Sequence, residues 1–367
     1  MSVADQIDEV RTLLRASIET MLRRVYGFEQ RRAAHDSPGG ESADAWAAYA
    51  ALGLLSLGLP EAHGGITAGL ADIAMAAELM GGAMTLEPYR PTMIVARLLA
   101  VAGTARQQAD WLPGVAAGTV HAALAHGEGR AGSGDPIGTI ATREGAGWRI
   151  TGRKAVVLGG DTADLFIVSA LTRRGTALFL VPRAELIRKS YRNFDWTGAA
   201  DVLLTDLLLP DDARLEGGEA ALAHALDEAT ALACADALGA IRAANALARR
   251  HTGTRSQFGR SLDSFQVLQH RLVDMAIAEE LAGPITAAAV AACECGDPGA
   301  RSRAVSAAKV KVGEAARFVG EQCVQLHGGM GLVQDYPASH LFARLGLFEL
   351  LHGDEDHHIT RYAALTP

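Results

Sequence analysis

An arginine stands three residues ahead of a Phe-Gly break in the segment Arg255-Ser-Gln-Phe258-Gly259. That spacing suits an anion: a guanidinium is charged at every accessible pH and offers paired N–H donors that match a phosphate edge. Phe258 sets an aromatic face beside the charge, and Gln266 adds an amide that both donates and accepts. A second segment, Gln325-Leu-His327-Gly328-Gly329-Met-Gly331, has two adjacent glycines, where a backbone can approach a bulky ligand with no Cβ in the way. Alone, such a pair reads equally well as a helix C-cap or a turn. A third segment, Leu351-His352-Gly353-Asp354-Glu355-Asp356-His357-His358, concentrates acids and imidazoles. His352 is of a type that accepts a proton near neutral pH. Read without chemistry, the run is a solvated loop, and alternating residues on one short loop are poorly placed to close around a metal.

The first two segments together resemble the flavin-binding signature of the acyl-CoA dehydrogenases. The likeness runs along nearly the whole chain, including Leu54 to Gly65. It implies FAD as cofactor and an acyl-CoA thioester as substrate, with a base removing a proton beside the thioester carbonyl while a hydride passes from the next carbon to the flavin. By this resemblance Arg255 pairs with the pyrophosphate, Phe258 packs beside it and Gln266 hydrogen-bonds the dinucleotide. Gln325, Gly328 and Gly329 line the neighbouring part of the site, often across a subunit boundary. An electron-transfer flavoprotein as electron acceptor and a tetramer, with itself or with a paralogous subunit, are implied too.

The chain departs from the family pattern where the chemistry should lie. The usual glutamate before a glycine near the C-terminus is replaced by His352 before Gly353. Other members carry the base on the helix leading to Arg-x-x-Phe-Gly; the matching position is Ala229, beside Glu228, with Asp236 on about the same helix face. His352, Glu228 and Asp236 are thus alternative bases, and Thr230 stands where many relatives carry arginine. The family's flavin-facing Leu-Thr-Glu-Pro turn reads Leu124-Ala125-His126-Gly127, and its Trp-Ile-Thr reads Val156-Val157-Leu158 after Gly152-Arg153-Lys154. The glycine-rich run from Gly127 to Gly134 reads as a backbone-first ligand contact or as a surface loop. Asp354 and Asp356 replace a Thr and a Gln that relatives offer to the adenine end, where acids near phosphates are unfavourable. These departures resemble the bacterial acyl-CoA dehydrogenases of steroid and cholate side-chain breakdown, in which two unlike subunits form an α2β2 tetramer. That likeness implies a subunit that makes a 2,3-unsaturated acyl-CoA beside a paralogous partner. The alternative it leaves open is a non-catalytic structural subunit that completes its partner's FAD site.

Three layers are expected to position these residues, in an α+β, mostly α fold. Ile7, Val10, Leu13, Leu14, Ile18, Met21, Leu22 and Val25 recur at helical spacing, and Ala- and Leu-rich helical stretches continue to about residue 118. Between 119 and 212 the period shortens: Trp148–Gly152, Leu165–Ala170, Ala177–Val181 and Val202–Leu209 read as strands of a sheet or barrel, the last also readable as helix. From 213 to 367 the helical period returns in Ala220–His251, Ser264–Cys293, Ala304–Leu326 and Ser339–Leu351, the makings of a four-helix bundle. In a chain of 367 residues, 49% hydrophobic content is that of a globular protein, and a net charge of −8 argues against a nucleic-acid surface. No apolar stretch reads as long enough to span a membrane. Cys234, Cys293, Cys295 and Cys323 read as buried thiols, in keeping with a cytoplasmic setting.

Overall fold

Helical apolar spacing produces the first layer. The computed structural model describes residues 3–129 and 137–365, so Arg130 to Gly134 of the glycine-rich run lie outside the described residues. Six helices come first: α1 (Val3–Val25), α2 (Phe28–Asp36), α3 (Ala43–Ala51), α4 (Leu70–Ala83), α5 (Tyr89–Ala102) and α6 (Ala105–Ala116). On α1 the expected face is only partly covered: Ile18, Met21 and Leu22 are buried, whereas Val10 and Leu13 are exposed.

Seven strands follow: β1 (Ala122–Ala125), β2 (Ile140–Glu144), β3 (Gly147–Leu158), β4 (Leu165–Thr172), β5 (Gly175–Pro182), β6 (Ile187–Arg192) and β7 (Gly198–Pro210). They form one curled sheet in the order β1-β4-β2-β3-β7-β6, with β5 on the far edge of β4. β1 runs parallel to β4, and the hairpins β2–β3, β4–β5 and β6–β7 are antiparallel. Residues of β4 alternate between two cores: Leu165 and Ile167 join the large helical core, while Phe166, Val168 and Ala170 fill the inside of the curl. Val202–Leu209 is strand and not helix, because β3 and β6 pair with it on both sides and outweigh the weak strand preference of leucine.

The chain closes with α7 (Gly218–Thr254), a short hairpin of β8 (Ser256–Gln257) and β9 (Arg260–Ser261), α8 (Gln266–Cys293), α9 (Pro298–His327), α10 (Pro337–Leu350) and α11 (Glu355–Leu365). α7 to α10 form the bundle, and α11 packs on α9. Two sequence expectations are corrected here. Both α7 and α8 are long and apolar enough to cross a membrane; α7 lies mostly buried inside the bundle, whereas α8 keeps much of its surface open. Cys295 is exposed, at the frayed end of α8, while the other three cysteines are buried.

The first layer is fastened to the bundle at a glycine crossing. A Cβ on Gly239 of α7 would lie 1.7 Å from the Glu78 carbonyl oxygen, and one on Gly81 of α4 would lie 2.0 Å from that of Asp236. The backbones of α4 and α7 therefore touch, which only glycine permits. Gly239→Ala must push the helices apart, and chemical denaturation should show a loss at or above the upper end of the usual overpacking cost, about 3 kcal/mol. Gly296→Ala, where a Cβ meets nothing within 4 Å, should be near neutral.

Candidate active site

The curled sheet and the bundle enclose a cavity of about 330 Å³. Its sheet wall carries His126 and Gly127 after β1, and Val156 to Leu158 of β3. Arg90 and Ile94 of α5 close one side, Leu226, Ala229 and Thr230 of α7 another, and Leu351 and His352 after α10 the end. Val156 has φ +51°, a strained conformation for a β-branched residue, at a register shift between β3 and β7. The Val156 N–H donates to Asp201 Oδ1 at 3.3 Å, which holds the distortion against the cavity.

His352 lines this cavity, half-buried, with φ +58° and followed by Gly353 at φ +100°. The turn is held from behind. Lys309 Nζ of α9 donates to the Gly353 carbonyl at 2.7 Å and to that of Glu349 at 3.2 Å. The His358 Nε2–H donates to the His352 carbonyl at 3.0 Å, and Ser306 Oγ lies 3.2 Å from His358 Nδ1. Burial, with Arg90 and Lys309 adding positive charge, pushes His352 down to about 3. The imidazole is thus neutral at physiological pH, free to accept a proton but a weak base.

Neither alternative base lines the cavity. Glu228 is buried in an ion pair with Arg97, Nη2 to Oε1 at 2.5 Å, with His224 Nε2 at 3.4 Å. Burial raises its pKa, but the hydrogen bonds from His224 and Arg97 more than offset that and hold it low. Asp236 is buried between Arg344 (Nη2 at 2.6 Å) and Arg90 (Nε at 3.2 Å). There too burial is outweighed by the two guanidiniums, and the carboxyl stays ionised. Both acids are structural counter-ions in this chain. Their spacing on the helix was legible; the arginines that claim them, each more than a hundred residues away, were not.

The acid and histidine run is not a solvated loop. Asp354 accepts from the His357 N–H at 2.9 Å and so starts α11, which buries His358. Asp356 is exposed on its first turn. Among the described residues no group of three His, Cys, Asp or Glu is arranged to hold a metal.

The anion-binding candidates gather at the far end of the bundle. His251 and His327 rings lie 4.3 Å apart and bring the ends of α7 and α9 together. Arg255 and Gly328 therefore sit side by side on one surface. Arg255, Gln266, Gln325, Gly328 and Gly329 are exposed, and Phe258 is 90% exposed at φ +55°. Arg260 lies over the Phe265 ring at 3.9 Å, adding a second guanidinium to the patch. Gly328, at φ +59° and ψ −138°, has a backbone open essentially to glycine alone. A Cβ on Gly259, Gly328 or Gly329 would meet nothing within 4 Å, so the space beside them is free for a ligand or another chain.

This arrangement is that of an acyl-CoA dehydrogenase, and the chain belongs to that family. Residues 7–119 match the family model "Acyl-CoA dehydrogenase, N-terminal domain", and 216–364 match "Acyl-CoA dehydrogenase, C-terminal domain". Acyl-CoA dehydrogenase fadE12 of Mycobacterium bovis is 31% identical over 350 residues, covering 89% of this chain and 88% of the relative. The rat mitochondrial long-chain specific acyl-CoA dehydrogenase is 29% identical over 82% of this chain and 74% of its own length. Among solved structures, a variant of the Tcur3481-Tcur3483 steroid ACAD superposes with a TM-score of 0.91 at 30% identity over 98% of each chain. Butyryl-CoA dehydrogenase from Megasphaera elsdenii, at 22% identity and a TM-score of 0.86 over 97% of each chain, shares the fold.

Members of this family are FAD-dependent oxidoreductases acting on the CH–CH bond of acyl-CoA. The residues present fit FAD in two places: a largely apolar cavity with neutral imidazoles in its wall for the ring, and an open cationic patch with three uncrowded glycines for the diphosphate. When bound, the flavin supplies the hydride acceptor.

The cavity's histidines make stability depend on pH. Burial lowers His126 and His358 to about 4, and His352 to about 3. Each ring is neutral when folded and protonates first when unfolded, near the ordinary histidine value of about 6.5. Stability is therefore full above pH 6.5 and is lost as pH falls from there toward about 4, ahead of the carboxylates. Thermal unfolding followed between pH 7 and 4.5 should show this early loss. His358→Gln, which keeps an N–H donor, should flatten the slope by up to about 1.4 kcal/mol per pH unit.

Proposed function

We propose that this chain is one subunit of an FAD-dependent acyl-CoA dehydrogenase that forms the 2,3 double bond of a bulky acyl-CoA, of the steroid side-chain kind. It assembles with a second family chain and passes electrons to an electron-transfer flavoprotein. The observation that carries the assembly is a distance. Thr230 lines the cavity, while Arg255 stands beyond the end of the same helix, about 37 Å further on at about 1.5 Å per residue. An extended flavin dinucleotide does not bridge that span, so Arg255, Phe258, Gln266, Gln325, Gly328 and Gly329 serve a flavin whose ring lies in a neighbouring subunit. The Arg255 side chain has no hydrogen-bond or ion-pair partner among the described residues, which fits a ligand from outside the chain. The exposed apolar ridge Val273, Ile277 and Leu281 on α8 supports the same reading, since monomers rarely leave such a stripe open. Ile94, Leu226 and Val157 make the cavity suited to a large apolar acyl group, and kinship with a steroid ACAD supports that class.

A second reading, a structural subunit whose partner supplies the base, is favoured by one observation. Among the described residues the only carboxylate lining the cavity, Glu128, is tied to Lys154 Nζ at 2.6 Å. With His352 held near 3, the described residues of the cavity present no strong base.

Co-expression with the paralogous subunit and flavin stoichiometry per chain test the assembly. Arg255→Ala should release FAD from the purified complex, since each lost charge-assisted bond is worth about 1.5–3 kcal/mol. Full retention of flavin after desalting contradicts the role. His352→Ala divides the two readings: turnover within about tenfold of wild type places the base on the partner, whereas a loss of about 10²-fold or more makes His352 the base. The first result is expected, because an imidazole this hard to protonate is a poor proton acceptor.

A further inference from the structure

A buried polar chain stands behind the sheet wall of the cavity. Lys154, on β3, is fully buried, and its ammonium donates to three oxygens: Glu128 Oε1 at 2.6 Å, the His126 carbonyl at 3.1 Å and Ser169 Oγ at 3.1 Å. Glu128 also accepts from the Gly138 N–H at 2.6 Å and the Thr139 N–H at 2.9 Å, which fixes it as an ionised carboxylate. Ser169, on β4, is fully buried, and among the described residues its Oγ has one other hydrogen-bond partner, His126 Nδ1 at 2.9 Å.

These contacts decide the tautomer of His126. Lys154 can only donate, so it occupies a lone pair of Ser169 Oγ, and the serine proton needs an acceptor. Nδ1 of His126 is the acceptor within reach. A neutral imidazole that accepts at Nδ1 carries its proton at Nε2. Nε2 has no hydrogen-bond partner among the described residues and is not sealed off, and the half-buried ring lines the cavity. The ring is not an imidazolium: burial and the neighbouring ammonium lower it to about 4. The charged and titratable groups around it are Lys154 and Glu128 behind, with Arg90, His352, His357, His358 and Arg361 elsewhere in the cavity lining.

We propose that His126 is a fixed, uncharged hydrogen-bond donor to the flavin ring, its Nε2–H aimed into the cavity by the Ser169–Lys154–Glu128 chain. Nothing in the family likeness assigns a histidine here. It stands in the turn whose usual hydroxyl and carboxyl groups this sequence lacks, and it restores a donor from the same wall. A neutral N–H stabilises an acceptor that gains electron density without itself taking up charge or proton, so it favours reduced over oxidised flavin. The inference rests on the reading that a flavin ring occupies this chain's cavity.

Three measurements test it on the FAD-loaded protein. In ¹⁵N NMR, His126 should show a pyridine-type Nδ1 and a pyrrole-type Nε2, unchanged from pH 8 to 5.5. His126→Leu should keep its flavin but shift the visible spectrum and lower the midpoint potential, by about 30 mV for each tenfold change in the preference for reduced flavin. Ser169→Ala, which frees the tautomer, should move the potential the same way, and His126→Gln, which keeps an N–H donor, should largely restore it. An Nδ1–H tautomer, or a His126 that titrates near 6.5, overturns the proposal. So does a His126→Leu protein with wild-type spectrum and potential. A wild-type complex that carries no flavin in this chain's cavity is a different failure, that of the flavin reading, and flavin stoichiometry detects it before any variant is made.

Discussion

Asp236 is the point through which the three layers are held in register. Its carboxylate on α7 takes Arg90 from α5 and Arg344 from α10, and Arg344 reaches on to Asp195 Oδ2 at 3.1 Å in the turn between β6 and β7. Arg31 of α2 donates to the Asp195 carbonyl at 2.6 Å and to that of Met84 at 2.9 Å. First helices, sheet and bundle thus meet in one buried ionic network. Such networks add little net stability, because desolvation consumes most of the Coulomb attraction. What they impose is geometry, since removing any member leaves a buried charge unpaired. Asp236 lies beside the glycine crossing of α4 and α7, so the closest backbone approach and the densest charge cluster fix the same stretch of helix.

The cavity inherits its electrostatics from that frame. Arg90 belongs to the network and lines the cavity, and Lys309 approaches from the opposite side behind the His352 turn. Burial, with these two cations, keeps His352 uncharged, and burial with Lys154 does the same for His126. Uncharged imidazoles with oriented N–H groups suit a redox ring that must bind in two electronic states, because the donors need not reorganise as charge moves. The same logic makes the chain a poor source of strong base. Its acids have been spent as counter-ions: Asp236 on Arg344 and Arg90, Glu228 on Arg97, Asp227 on Arg301 and Arg361, Glu128 on Lys154.

The layers were legible because each depends on local periodicity. Leu165–Ala170 and Ala177–Val181 announced strands, and α7 to α10 ran within a few residues of the expected bounds. β1, β2 and β6 escaped notice, the first because Ala122–Ala125 has no distinctive strand residues, the others because Ile140–Glu144 and Ile187–Arg192 carry charges on an open edge or face. The Arg255 and Gly328 segments were singled out as a candidate anion site on residue type and short spacing alone, and the structure leaves both exposed. The candidate bases were not, since helix-face reasoning shows where a carboxylate points but not which arginine from a distant layer meets it. His126 appeared in the sequence only as a departure from a turn. Its meaning depends on Lys154 and Ser169, two positions brought together by the register of β3, β4 and β1.

The exposed groups and the buried ones point to the same division of labour. Inside the chain, the polar groups described in the cavity wall are anchored from behind: Lys309 under the His352 turn, Ser169 behind His126, Asp201 behind Val156. On the outer surface at the far end of α7 and α9, Arg255, Phe258 and Gly328 are pre-shaped by backbone conformations that cost energy, φ +55° at Phe258 and the glycine-only geometry at Gly328. Strained backbone persists where its surroundings over-determine it, and it clusters at ligand sites. An exposed hairpin of two-residue strands offers little such support by itself. On the proposed assembly the conformation gains its reason when the patch closes on a ligand held by a second subunit, which supplies the support that the hairpin lacks.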